Sequence, residues 1–211
     1  MIIIKEELKE KGYRMKFLKE NSYDIVRLYI NQIGIAIFSL VLYFAAAQAG
    51  DDGISLIISI VISVFATAFY MVLIYTATWD LGAKDRIRID AGRMTEAKHK
   101  GLLLSTVANL PNLLFILLSL IGKGGYMLGL GSWLDTLFAF SNLILRFAAA
   151  SYLGILRGIF APFADSPDLY YLLQTFGFLI LTLLPCIAAE IGYRFGSKNF
   201  RIFSSGSKNK E

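Results

Sequence analysis

Residues 54–78 read ISLIISIVISVFATAFYMVLIYTAT, without a single charged side chain. As an α-helix, rising 1.5 Å per residue, such a stretch is about 37 Å long and crosses a hydrocarbon core of about 30 Å. A spanning helix needs about 20 apolar residues, and this run supplies them. The run closes on Trp79 and Asp80, residue types suited to the membrane interface. Ser55, Ser59, Ser63 and Thr67 recur every fourth residue along one face. Small hydroxyl residues at this spacing let helices approach closely and hydrogen-bond; a polar lining for a path is the rarer use.

Just upstream, Gly50-Asp51-Asp52-Gly53 has room only for a tight turn, and an apolar run from about Ile25 to Ala49 precedes it. The two runs therefore read as an antiparallel hairpin. Ala47-Gln48-Ala49 has the form of a signal-peptidase site, but the basic region before it is far longer than an ordinary signal n-region, so the first helix is expected to be retained. Residues 1–24 are charged with scattered apolar positions and are expected to lie along the membrane surface.

Downstream, residues 80–100 (DLGAKDRIRIDAGRMTEAKHK) read as the one substantial polar loop, and the period-two alternation of Arg86-Ile87-Arg88-Ile89-Asp90 predicts a short extended piece between Gly82 and Gly92. A third span follows over 101–121, kinked or locally broken at Pro111. Gly122-Lys123-Gly124-Gly125 lacks the strand-then-helix setting of a phosphate loop and opens a glycine-rich turn over 122–132. Residues 124–163 are apolar but interrupted by Asp135, Asn142, Arg146 and Arg157. The last span, 169–193, contains Pro185, and a basic tail occupies 194–211.

The whole composition agrees with this pattern. Of 211 residues, 56% are hydrophobic and 18% charged, and the mean hydropathy is +0.58, whereas a soluble domain carries about 25% charge. A soluble fold is thereby excluded, and an all-α integral membrane bundle over 25–193 is expected. Basic residues gather in three places: Lys5 to Arg27, Lys84 to Lys100, and the tail from Arg194 to Lys210. Beside apolar spans, such clusters mark the cytoplasmic side and anionic lipid headgroups. No interleaved aromatic-plus-basic platform accompanies them, so nucleic acid is not an expected partner. Cys186 is the only cysteine and His99 the only histidine, and the HExxH, CxxC, GxSxG and Walker A patterns are absent. No metal or cofactor is expected.

The charges also constrain topology. The positive-inside rule places residues 1–24, the 80–100 loop and the tail in the cytoplasm of a multi-pass cell-membrane protein. The turn at 50–53 and the stretch 159–168 carry aspartates and no basic residue, and belong outside. A single crossing by 133–158 would invert the last loop and the tail. Residues 124–163 must therefore make either two short spans, giving six crossings, or a broken or re-entrant amphipathic segment beside four full spans; their length favours the second.

Several polar residues inside these spans are site candidates. Ser105, Asn109 and Asn112 share a face beside Pro111, where they can satisfy the backbone freed by the proline or coordinate a small polar ligand or ion, as broken transporter helices do. Arg146 lies on a face with Asp135 and Asn142, and it needs a carboxylate, a carbonyl cluster or lipid phosphate; Asp135 and Glu190 are the candidate acids, although Glu190 is also four residues from Arg194. Ala150, Gly154 and Gly158 continue the Arg146 stripe, and Ala188, Gly192 and Gly196 form another. Both read as packing seams within the chain, against a membrane-protein partner or in a homo-oligomer.

Three functions follow as expectations. The first is a non-catalytic membrane component or accessory subunit acting through helix packing. The second is a small-solute or vitamin transport component with a polar site at Pro111; in size and helix count alone, the chain resembles the substrate-binding subunits of energy-coupling-factor transporters. The third is a lipid-headgroup enzyme using Asp80, Asp85, Asp90 and the arginines of the 80–100 loop.

Overall fold

The computed structural model describes residues 15, 17–48, 51–95 and 97–200. Most of the expected surface segment 1–24, Ala49 of the cleavage-like motif and the tail from 201 onward fall outside the described residues. Among the described residues from Ser22 onward the helices are α1 (Ser22–Ala47), α2 (Asp52–Asp90), α3 (Lys100–Ala108), α4 (Leu110–Met127), α5 (Trp133–Ala148), α6 (Leu153–Phe160) and α7 (Pro167–Ser197). Single 3-10 turns occur at Ala150–Tyr152 and Ala161–Phe163. The helices α1, α2, α4 and α7 are long and apolar enough to cross a membrane, while α5 and the segment after it form a pair bent by 84°. By helix length and hydropathy this is a multi-pass membrane protein with an all-α bundle.

The sidedness of the side chains fits a lipid solvent. Large apolar residues such as Ile37, Val41, Ile57, Val61, Leu117 and Ile180 face outward, whereas Ser59, Ser63, Ser119, Ser141 and Thr175 are buried. Between helices in lipid no hydrophobic force operates, and close backbone packing takes its place. A Cβ added at Gly154 would strike the Ser59 carbonyl, one at Gly192 the Tyr75 carbonyl and Thr78, and one at Gly196 the Trp79 carbonyl. Gly158 abuts the Ile60 side chain, and Ala150 is buried. These small-residue faces thus pack α6 and α7 against α2.

The ends of the helices establish connectivity. At one end Lys123 of α4 pairs with Asp135 of α5 and Asp168 of α7. The chain therefore leaves α4 and starts α7 at the same end, with α5 and α6 between them as a bent pair beside the four long helices. At the opposite end α2 meets α3 through Asp85 and Lys100, and α3 meets α7 through Leu102 and Glu190. Phe17 and Asn21 lie there beside Arg88 and Lys100, and the Phe200 carbonyl accepts from the Trp79 indole near the same end of α2; we call it the basic end.

Two local expectations are corrected. Residues 86–90 are helical, not extended, because α2 runs on to Asp90. Leu81, Gly82 and Asp85 continue its buried face while Arg86, Ile87 and Arg88 face out, and Arg86 pairs with Asp90 one turn on at 3.0 Å. The period-two alternation was an accident of charge within a helical pattern. The helix stops where Gly92 adopts φ 69°, with the Arg93 N–H bonded to the Arg88 carbonyl, a Schellman ending that glycine makes inexpensive. Likewise 122–125 is not a turn, since α4 continues to Met127 and ends in the same way at Gly129, φ 73°. Gly122 serves close packing, for a Cβ there would strike the Leu134 carbonyl and Phe138 backbone of α5.

Candidate functional site

The mid-membrane candidates are brought together, largely with each other. The Asn109 carboxamide, at the break between α3 and α4, donates to the Ser105 carbonyl at 2.9 Å, and that of Asn112 donates to Asn109 Oδ1 at 3.3 Å. All three residues are buried. Proline at position 111 has no N–H to give, and the two carboxamides supply local bonds at the interruption. The hydroxyl stripe of α2 serves the other interruption. Ser63 Oγ accepts the Gly154 N–H at 2.7 Å, and Thr67 Oγ1 donates to the Ser151 carbonyl at 3.2 Å. Backbone exposed between α5 and α6 thus finds partners where no water reaches. Thr67 lies one turn before Tyr70 on α2, and Tyr70 belongs to the same buried apolar cluster as Leu104 and Ala108 of α3.

Arg146 does not find a carboxylate. Its Nη2 donates to Gln174 Oε1 of α7 at 2.8 Å and its guanidinium lies 5.3 Å from the Tyr171 ring centroid, while Nε has no hydrogen-bond partner. The expected acids are engaged elsewhere. Asp135 faces Lys123, and Glu190 is held by Arg194, His99 and the Leu102 N–H.

Sequence reasoning missed Lys123. Its ammonium, with the side chain 6% exposed, sits 2.6 Å from Asp168 and 3.8 Å from Asp135. The Phe138, Tyr126 and Tyr171 ring centroids surround it at 4.9, 5.3 and 6.0 Å. Buried cations are tolerated when paired and stacked in this way. A lone lysine between two expected outer loops rich in aspartate was the available signal.

At the basic end, Asp85 is fully buried and accepts from Lys100 Nζ at 2.7 Å and from the Tyr193 hydroxyl at 3.1 Å, both on Oδ2. Arg88 Nη1 stands 3.6 Å from Oδ1, which accepts no hydrogen bond. Lys100 also lines an open cleft of about 730 Å³ whose other walls include Arg88, Arg93, Thr95 and Asn21. Beside it, Glu190 of α7 accepts the Leu102 N–H at 3.0 Å and so caps the start of α3 from another helix, a favourable place for a carboxylate. The spacing of Asp85 on the inward face of α2, one turn beyond Leu81, was legible only once the 80–90 stretch was known to be helical.

Among the described residues, no group of three or more His, Cys, Asp or Glu side chains could hold a metal ion. Comparison with known proteins found no matching family model, curated protein or solved structure.

Proposed function

We propose that this protein is a non-catalytic, multi-pass component of the cell membrane, with both termini cytoplasmic, that works by binding at its basic end. The observation that carries this reading is the convergence of Arg88, Arg93 and Lys100 on an open cleft between the start of α1, the end of α2 and the start of α3. Positive charge at one end of a membrane bundle favours the cytoplasmic side and its anionic headgroups. The small-residue seams are occupied within the chain, so helix packing accounts for the fold and leaves the cleft as the working surface. Purification in mild detergent followed by native mass spectrometry tests the reading. A bound small molecule or lipid, retained by the intact protein and lost when the cleft is altered, is the expected result; a protein that stays bare under all mild conditions would count against it.

A second reading, small-solute transport, draws on the two helix breaks, since broken helices build binding sites in transporters. Thr182, on α7 and one turn before Cys186, has a buried hydroxyl oxygen without a hydrogen-bond partner. Against this reading, the Ser105, Asn109 and Asn112 groups bond to one another. Reconstituted protein whose solute uptake is abolished by Asn112→Leu, with the fold intact, would favour transport over binding at the basic end.

A further inference from the structure

We infer that the cleft at the basic end binds a phosphate group, held by Arg88 and Arg93 above a floor made by Lys100. The inference rests on the binding reading above and names its ligand chemistry.

The cleft has about 730 Å³, space for a phosphorylated headgroup or small phosphorylated metabolite. Its cations differ in how far their donors are spent. Lys100 is held from behind by the buried Asp85, which fixes it in the floor. Arg88 lies within ion-pair range of Asp85 Oδ1, at 3.6 Å, without forming a hydrogen bond. Its guanidinium is therefore oriented by charge, and with a side chain 62% exposed it keeps its N–H donors for a ligand. Arg93 forms no ion pair with any described residue and is exposed on the same cleft. Two guanidinium forks with unspent donors match the planar, multidentate recognition that phosphate oxygens favour, which a single ammonium cannot supply. Thr95 and Asn21 add neutral polar groups to the lining. Glu20 also lines the cleft and has an interaction of its own. Asp85 is thus a positioning residue: Oδ2 binds Lys100 and the Tyr193 hydroxyl while Oδ1 faces Arg88.

The cleft lies beyond the apolar run of α2 and at the start of α3, level with a headgroup layer and open to water, so the phosphate can belong to a lipid or to a soluble molecule. The experiment separates these sources. Full-length protein in detergent is titrated with inorganic phosphate and with glycerol 3-phosphate, and protein in nanodiscs of phosphatidylcholine is compared with protein in nanodiscs containing phosphatidic acid. Thermal stability and direct affinity are read in each arm. Stabilisation by the soluble probes assigns a soluble ligand, and stabilisation only by phosphatidic acid assigns a lipid one; either supports the inference.

Each lost charge-assisted hydrogen bond weakens binding by about tenfold. Arg88→Gln and Arg93→Gln should each lose about that much, whereas Lys84→Gln and Arg86→Gln, basic residues outside the cleft, should change affinity less than about twofold. Arg93→Gln removes no ion pair within the described chain, so its loss cannot be ascribed to unfolding. No response to any phosphate probe, or an equal loss in the control variants, would overturn the inference. A bound molecule without phosphate in the cleft would overturn it while leaving the binding reading intact, and bare protein in the native mass spectra would remove both.

Discussion

Asp85 and Lys100 are the residues on which the basic end rests. Both side chains are almost wholly buried, and a buried charge left without its partner destabilises by about 3–5 kcal/mol. Lys100→Met or Asp85→Leu alone should lower the melting temperature in detergent strongly, and the double variant should recover much of the loss. Additive single effects would mean that the two groups are not coupled. Arg146 behaves differently, because its partner is a carboxamide. Arg146→Met strands Gln174 Oε1, a cost of about 1–3 kcal/mol, whereas Gln174→Leu leaves a half-buried guanidinium without its acceptor and should cost more. Chemical denaturation of both variants checks the order. Rescue of Arg146→Met by Asp135→Asn would instead point to a carboxylate partner for the arginine.

Among the elements, the bent pair α5–α6 depends most on a neighbour. Helix α6 spans only Leu153–Phe160 and docks on α2 through Gly154, whose N–H is taken by Ser63. A side chain at Gly154 must push the Ser59 backbone aside, and overpacking of this kind costs about 1–3 kcal/mol. Gly154→Val should therefore destabilise, and Ser63→Ala should do so by leaving the Gly154 N–H without its acceptor. Gly34 of α1 is the control, since a Cβ there meets nothing within 4 Å. Gly34→Ala should be neutral or stabilising by up to about 1 kcal/mol through helix propensity. Equal melting shifts at Gly34 and Gly154 would argue that α6 is not seated on α2.

At the scale of the molecule, the pairing of Lys123 with both Asp135 and Asp168 brings the end of α4 and the starts of α5 and α7 to one end of the bundle. Single cysteines introduced at Asp165 and Lys198, with the buried Cys186 replaced by alanine, should label from opposite sides of the membrane. On the orientation proposed above, Lys198 should label from the cytoplasmic side. Labelling of both positions from one side would undo the four-crossing bundle, and labelling of Lys198 from outside would reverse its orientation.

The sequence by itself determined the all-α membrane class, the four long apolar helices and the break beside Pro111. Each follows from a property carried along the chain: an apolar run longer than the hydrocarbon core and a missing N–H at a proline. Only the tertiary structure decided what the polar residues do. The hydroxyls of α2 serve the break between α5 and α6, Arg146 meets Gln174, Glu190 caps α3, and Lys123 sits among three aromatic rings. These partners are separated by up to 91 positions. In lipid a polar group takes whichever partner packing brings within about 3 Å, and no local pattern records which helix that will be. The same limit explains the misread 86–90 stretch: alternation and helical periodicity both fit five residues, and the packing of Gly82 against Tyr193 and Ser197 of α7 selected the helix.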